Sequence, residues 1–227
     1  DAVVSRGLGD VYKRQSNKNS TMSLPVPMLN IMNGGCHANN NVDIQEFMII
    51  PSNKFNFKDG LMKSVEVYTN LKSLLKEKGL SVSVGDEGGF APNLKTSEEV
   101  LDLIILSIER AGLIYLDDMS IALDCAASEL FNKDTYRLTG ENKKYSSEEM
   151  IVYIQSLVDK YEIKSVEDPF DETDWNAWKT FTNNNKDLQI VGDDIFVTQE
   201  KILTKGIENK VANSILIKLN QVGTLSE

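Results

Sequence analysis

Four apolar stretches in the second half of the chain each end on or beside a charged residue, and this pattern constrains the fold most. The stretches are SIALD, IKSVED, LQIVGD and SILIK, with Asp124, Glu167, Asp193 and Lys218 at their ends. Short apolar strands that alternate with helical patterns predict parallel βαβ units. A doubly wound sheet and a (β/α)8 barrel both fit. No glycine-rich phosphate loop follows an early strand, which favours the barrel.

Further elements follow from hydrophobic spacing and capping residues. Strands are predicted at 44–51 and 81–84, and a helix at 59–78 with Gly79 at its C-cap. Capping boxes at Thr96/Glu99 and Ser146/Glu149 predict the starts of two more helices. Two last helices are predicted around Trp175 and from about residue 198 to 209. Together these elements give an α/β chain with the order expected of a barrel.

The C-terminal ends of barrel strands meet at one mouth, so the four charged residues are expected to converge there. The alternative is that each charge only marks where its strand leaves the core. Two carboxylates about 5 Å apart repel by roughly 3 kcal/mol at an effective dielectric of about 20, so three require protonation or a cation. Oxygen ligands without His or Cys favour Mg²⁺. A lysine beside that cation would have a lowered pKa and could act as a general base.

Composition excludes several classes of protein. The formal net charge of -10 has no Lys/Arg stripe to offset it, which argues against a nucleic-acid partner. No apolar run approaches the roughly 20 residues of a membrane-spanning helix. Cys36 and Cys125 have no framework spacing, so buried, reduced thiols in a cytosolic protein are expected.

Six stretches of sequence are more specific than these patterns. They include NGGCHA, VGDEGGFAPNL, IALDCAASE, SVEDPFDETDW and QIVGDD, and they occupy residues 24–51, 84–94, 121–129, 165–175, 189–198 and 212–227. In this order and spacing they resemble the enolase family over nearly everything after residue 23. The resemblance implies a (β/α)8 TIM-type barrel and the Mg²⁺-dependent, reversible dehydration of 2-phosphoglycerate to phosphoenolpyruvate.

The resemblance also implies roles for individual residues. Asp124, Glu167 and Asp193 resemble the ligands of one of two Mg²⁺ ions expected in the active site. Lys218 resembles the base that removes the C2 proton of 2-phosphoglycerate. A metal ion would act as a Lewis acid towards the negative charge that this proton removal creates.

Three more residues gain roles from the same resemblance. Glu87 resembles the acid that assists departure of the C3 hydroxyl, with Glu46 as its companion. His37 resembles a histidine of a mobile loop near the substrate, and the implied substrate-binding residues are His37, Glu46 and Glu167. The neighbouring acids are expected behind the site, because alternation along a strand sends adjacent residues to opposite faces; they are Asp86, Asp168 and Asp194.

The resemblance predicts a partial domain. Residues 1–23 do not resemble the family and are expected to be a disordered or artefactual tail, while residues 24–227 form a partial barrel that lacks its last strands and the N-terminal α+β domain. The isolated chain is expected to be inactive. The complete protein is expected to be a cytoplasmic homodimer, with a secreted or cell-surface pool as a further option. Two alternatives stay open: a non-catalytic, plasminogen-type surface-binding fragment, and a superfamily enzyme acting on another carboxylate.

Overall fold

The computed structural model describes residues 24–222, so the predicted tail at 1–23 lies outside the described residues. Within this range the strands are β1 (Leu29–Asn33), β2 (Glu46–Pro51), β3 (Met119–Asp124), β4 (Tyr136–Leu138), β5 (Lys143–Tyr145), β6 (Ser165–Glu167), β7 (Gln189–Gly192) and β8 (Ser214–Ile215). The helices are α1 (Phe57–Glu77), α2 (Ser97–Arg110), α3 (Ser147–Tyr161), α4 (Trp175–Asn184) and α5 (Glu200–Asn209). Short 3-10 turns lie at Gly35–His37, Ala127–Leu130 and Leu219–Gln221.

Six strands form one sheet in the order β1-β2-β3-β6-β7-β8, and β4 pairs with β5 in a separate hairpin. Strands β3, β6, β7 and β8 are parallel, as the alternation of strands and helices predicted. Strands β1 and β2, and β2 and β3, are antiparallel. Two successive helices, α1 and α2, connect β2 to β3, so the chain returns to the sheet in the opposite direction.

The prediction of a strand at 81–84 was wrong. Its absence leaves two helices between β2 and β3, so that β3 runs antiparallel to β2. Val84 makes only an isolated bridge with Phe90, across a glycine-rich loop of the same segment. Val84 is also 55% exposed, so the segment lacks both a partner strand and a buried face. With no strand at 81–84, only a loop separates the helices α1 and α2.

The predicted helix starts are confirmed, with one difference between them. The Ser146 side chain accepts a hydrogen bond from the Glu149 N–H, and the Glu149 side chain accepts one from the Ser146 N–H, which is a complete capping box. Thr96 caps α2 through the Glu99 N–H, but the Glu99 carboxylate accepts from the N–H of Lys95 instead. Gly79 has φ +69 immediately after α1, the conformation that favours glycine at a helix end.

The sheet is strongly curved, and this curvature forms the site. Six flat strands about 4.8 Å apart would separate β1 from β8 by about 24 Å. His37, which follows β1, and Lys218, which follows β8, nevertheless line the same cavity. The packed core behind it includes the fully buried side chains of Phe47, Phe170 and Trp178. The structure is therefore an incomplete barrel.

The two cysteines are both free thiols, as predicted. Cys125 is buried, but Cys36 is exposed, so the expectation of two buried thiols was wrong for Cys36. Cys36 lies in the short turn between β1 and β2 and not on a strand, which accounts for its exposure. In the described part of the chain, no helix combines the length and the apolar character needed to cross a membrane.

Candidate active site

A row of polar residues crosses one end of the sheet in register. Asn33 on β1 pairs with Glu46 on β2, Glu46 pairs with Asp124 on β3, and Asp124 pairs with Glu167 on β6. Strand β2 is antiparallel to β3, so its first residue lies beside the last residue of β3. Adjacent strands are about 4.8 Å apart, which brings three carboxylates close together.

A cavity of about 510 Å³ opens at this end of the sheet. All seven residues that the sequence analysis selected line it: His37, Glu46, Glu87, Asp124, Glu167, Asp193 and Lys218. The convergence of the charged strand ends is therefore observed.

Glu87 reaches the cavity from the loop between α1 and α2, and glycines shape that loop. The Gly85 N–H donates to the Gly89 carbonyl at 2.8 Å, which closes a tight turn around Glu87. Gly89 lies against β1, where an added Cβ would approach the Asn33 side-chain oxygen to 2.6 Å. The Gly89 N–H donates to that same Asn33 oxygen at 2.9 Å. Only glycine permits this close approach.

Lys218 is fixed by two side chains from the segment that follows β7, those of Asp193 and Thr198. Its ammonium lies 2.5 Å from Asp193 Oδ2. The Lys218 N–H donates to the Thr198 hydroxyl at 3.0 Å, and that hydroxyl donates to the Gln221 side chain at 2.7 Å. Thr198 has φ +55, an unusual conformation for a β-branched residue that is typical of functional sites.

Asp168 and Asp194 line the cavity, so the expectation that they lie behind it was wrong. Strand β6 ends at Glu167, and Asp168 has φ +40, so strand alternation does not extend to it. The Asp168 carboxylate accepts the N–H groups of Asp193 at 3.0 Å and Asp194 at 2.8 Å. Asp86, the third neighbouring acid, is exposed, and its N–H donates to the His37 carbonyl at 2.9 Å.

The cavity carboxylates are held in an environment that disfavours their charge. Burial, reinforced by the charges of Asp124, Asp168 and Asp193, raises the pKa of Glu167 to about 9. Burial also raises the pKa of Asp168 to about 7 and that of Asp124 to about 6. Asp193 Oδ1 is buried and has no hydrogen-bond partner among residues 24–222. Such a set of acids calls for a cation.

The sequence predicts a lowered pKa for a lysine beside a bound cation. The carboxylate charges by themselves shift the pKa of Lys218 in the opposite direction. Burial would lower its pKa, but the hydrogen bond to Asp193 and the charges of Asp193 and Asp194 outweigh burial. The protein groups alone therefore raise the pKa of Lys218. A general base needs a lowered pKa. Lys218 can therefore act as a base only when the Asp193 carboxylate pairs with another positive charge, such as a bound cation.

Glu46 and Glu87 form a second feature of the cavity. Burial and a hydrogen bond with Glu87 raise the pKa of Glu46 to about 8. Glu46 therefore holds its proton near neutral pH, beside the Glu87 carboxyl group. His37 Nδ1 lies 3.2 Å from Glu46 Oε1 on the other side of this pair.

Two groups of side chains have ligand atoms within 4.8 Å of one another, close enough to hold a metal ion. One is Asp168, Asp193 and Asp194, and the other is His37, Glu46 and Glu87. The first group shares only Asp193 with the set of metal ligands that the resemblance implied. Asp124 and Glu167 line the same cavity, beside this group.

Sequence reasoning gave no role to several residues that line the cavity. Gln45 donates to Asp124 Oδ2 at 3.2 Å, and the Cys36 thiol donates to Glu129 Oε2 at 3.3 Å. Glu129 lies in the CAASE motif, so the motif signalled it without giving it a function. Gln45 lies just before β2, which begins at Glu46. The alternation of side chains along a strand therefore did not predict that Gln45 lines the cavity.

The fold and cavity define a class: an α/β barrel protein with an acidic cavity and a lysine at its strand ends. Comparison with known proteins narrows this class. Residues 21–227 match the family described as the enolase C-terminal TIM barrel domain. The chain belongs to this family.

Curated relatives agree with the family match. The enolases of Legionella pneumophila strains Lens, Corby and Paris are each 52% identical to the chain over 213 residues. The match covers 93% of this chain and 50% of each relative. The chain thus spans about half the length of the curated relatives it matches.

Proposed function

We propose that the protein containing this chain interconverts 2-phosphoglycerate and phosphoenolpyruvate in a Mg²⁺-dependent reaction. One observation carries the proposal: Lys218, the carboxylate cluster and the Glu46–Glu87 pair lie in a single cavity. A lysine and a proton-holding carboxyl pair supply the base and the acid that a β-elimination needs. Relatives named enolase that are 52% identical to the chain support the same reaction.

The donor set fits Mg²⁺. The carboxylates around Asp193 offer only oxygen ligands, which Mg²⁺ prefers, and Asp193 Oδ1 is a buried oxygen without a hydrogen-bond partner among the described residues. We assign Asp124, Glu167 and Asp193 to one of two Mg²⁺ ions, with Asp168 orienting the backbone of Asp193. Mg²⁺ supplies charge compensation for the second negative charge that develops on the substrate carboxylate.

Lys218 is the proposed base. Its ammonium reaches the carboxylate cluster at Asp193 Oδ2, and Thr198 fixes its backbone. Once the Asp193 charge is engaged elsewhere, the burial of Lys218 favours the neutral amine. The neutral amine then accepts the C2 proton of 2-phosphoglycerate.

Glu87 is the proposed acid for the C3 hydroxyl. Glu46 holds a proton near neutral pH, because burial and the hydrogen bond with Glu87 raise the pKa of Glu46 to about 8, and Glu87 relays this proton to the hydroxyl. Transfer of the proton to the hydroxyl lets it leave as water. His37 and Glu46 lie together at the side of the cavity, where they would contact the substrate.

The activity is tested in a chimera, because the chain spans about half the length of its relatives. Residues 21–227 replace the matching segment of the Legionella pneumophila enolase, and phosphoenolpyruvate formation is followed by its ultraviolet absorbance. We expect Mg²⁺-dependent activity that Lys218→Ala lowers by at least about a thousandfold.

The matched control is Lys164→Ala, which removes an exposed lysine immediately before the opposite end of β6. This variant is expected to keep full activity. A folded chimera that is inactive, or that loses nothing with Lys218→Ala, would contradict the proposed function. A cytoplasmic location and a homodimer rest on the resemblance and remain predictions.

A further inference from the structure

A second cavity of about 510 Å³ lies apart from the cavity at the strand ends. Its walls come from the first turn of α2, from the segment 141–145 that contains β5, and from residues 148–157 of α3. We call it the α3 groove. Among the described residues, none that lines the α3 groove also lines the cavity at the strand ends. A concave site of this volume is large enough for a small molecule.

The α3 groove follows one face of α3 and is apolar along its middle. Glu148, Val152 and Ser156 line it at intervals of four residues, so they lie in a row along the helix. Eight residues of α-helix span about 12 Å. Val152, in the middle of the row, is 68% exposed. Beside it, Tyr153 and Leu157 line the groove with buried side chains.

Carboxylates lie at both ends of this apolar stretch. Glu148 and Glu149 stand in the first turn of α3. Glu98 marks the opposite end, because it lies 2.7 Å from the ammonium of Lys160, four residues beyond the row. Hydrogen bonds from its own backbone N–H and from Ser146 lower the pKa of Glu148, which keeps this carboxylate charged. A ligand with two separated positive charges would therefore meet a carboxylate at each end.

The α3 groove already holds one ammonium group, which belongs to the chain itself. Lys143 Nζ lies 2.7 Å from Glu141 Oε2 and 5.5 Å from the centre of the Tyr153 ring. An ammonium between a carboxylate and the face of a tyrosine gains from both contacts. Four glutamates and one lysine line the groove, so its charge stays negative. The chemistry of the groove therefore favours further ammonium groups.

We propose that the α3 groove binds a linear aliphatic polyamine such as spermidine. The ammonium groups pair with the glutamates at the two ends, and the methylene chain between them covers Val152. A flexible methylene chain with charged ends matches an apolar stretch between carboxylates, because each part of the ligand meets its own kind of surface. The proposal does not depend on the proposed dehydration, since the two cavities share no lining residue within the described part of the chain.

The competing explanation is a general attraction of any polyamine to an acidic chain. The formal net charge of -10 attracts cations to the whole surface. Salt screens such attraction over about 8 Å at roughly 0.15 M ionic strength, and it does not require an apolar stretch. The test therefore uses this ionic strength and saturating Mg²⁺, which competes for acidic sites that are not specific for an amine.

Spermidine is titrated into the full 227-residue chain by isothermal calorimetry, and saturable binding at one site is expected. Val152→Lys should weaken it by at least about tenfold, because a lysine there repels the ligand and covers the apolar stretch. Glu98→Gln and Glu148→Gln should each weaken it by about threefold. The matched controls are Val65→Lys and Glu66→Gln, at exposed positions of α1, and they should leave the affinity unchanged.

The outcomes separate the polyamine from its alternatives. No saturable binding to the folded chain, or equal weakening by Val152→Lys and Val65→Lys, would overturn the proposal. A trilysine peptide that binds through Glu98 and Glu148 while spermidine does not would overturn it in favour of a protein partner. Spermidine that binds the chain but not the chimera would show that another part of the complete protein covers the groove, and this result would also overturn it.

Discussion

Two regions of the molecule bury carboxylates and surround them differently. Near the β4–β5 hairpin, the Glu141 side chain accepts hydrogen bonds from the Ser97 N–H at 2.9 Å and from the Ser97 and Tyr153 hydroxyls at 3.0 Å. Lys143 lies 2.7 Å from its second oxygen. Burial alone would raise the pKa of Glu141, but these partners outweigh burial and lower it.

The cavity at the strand ends has the opposite character. Glu167, Asp124 and Asp168 share one charged environment, and burial raises the pKa of each. Lys218 is a cation in this cavity, and it pairs with Asp193. Even so, Asp193 Oδ1 has no hydrogen-bond partner within the described range.

Glu141 is therefore a carboxylate that stabilises the fold, whereas the cavity carboxylates need a bound cation to balance their charge. A buried acid with enough donors contributes to stability, whereas a cluster of acids without them costs stability and is kept for function. The two regions should therefore have opposite pH dependences, and this can be tested.

The largest effect is expected in the cavity when divalent cations are removed. The pKa of Glu167 is about 9 in the folded chain and near the ordinary value of about 4.3 in the unfolded chain. The folded state therefore holds a proton that the unfolded state releases between about pH 5 and 9. In chelator, the free energy of unfolding should fall as pH rises through this window, by up to about 1.4 kcal/mol per pH unit for each such group.

Urea unfolding at a series of pH values measures this slope. Glu167→Gln should flatten it, and so should saturating Mg²⁺. Asp187→Asn removes an exposed acid just before β7 and is the matched control that should change nothing. If the free energy of unfolding in chelator does not depend on pH, the cavity carboxylates do not differ from Glu141 in the way described.

The next effect concerns Glu141 near the hairpin. Glu141→Ala should lower the free energy of unfolding by about 3 kcal/mol at neutral pH, because it leaves the buried N–H and hydroxyl of Ser97 without their acceptor. Its folded pKa is lowered, so this contribution is present above the unfolded pKa and disappears as pH falls through the folded pKa.

Chemical denaturation of this variant and of Glu66→Ala, which removes an exposed acid on α1, gives the comparison. The Glu66 variant should stay within about 0.5 kcal/mol of the original chain. Equal losses in the two variants would show that Glu141 is not a stabilising acid.

The smallest effect tests the hydrogen bonds of Thr198, which hold the backbone of Lys218 beside the cavity. Thr198→Val keeps the branched shape but removes the hydroxyl that accepts from Lys218 and donates to Gln221. We expect a loss of about 1–2 kcal/mol in unfolding free energy, which Thr198→Ser largely restores. In the chimera, the valine variant should lower kcat more than it raises KM; the reverse would argue against a positioning role.

The sequence predicted the local elements well because their signals are local. Ser146 with Glu149 defined a helix start, and Gly79 defined a helix end, since capping depends on nearby residues. The convergence of Asp124, Glu167, Asp193 and Lys218 was also predictable, because parallel strands of a barrel share one mouth.

What failed depended on tertiary contacts. The direction of β2, which places Glu46 beside Asp124, follows from two successive helices and from the absence of a strand at 81–84. Asp168 reaches the cavity through a positive φ that no periodic pattern encodes. The exposure of Cys36 depends on how the turn after β1 packs. The number and spacing of the cysteines therefore gave a wrong prediction of burial for Cys36.

We infer that the cavity carboxylates form a Mg²⁺ site. The most direct test is isothermal titration of Mg²⁺ into the full chain, into Asp193→Asn and into the matched control Asp187→Asn. We expect saturable binding that Asp193→Asn abolishes and Asp187→Asn leaves unchanged. No binding to the folded chain, or equal binding in both variants, would contradict it.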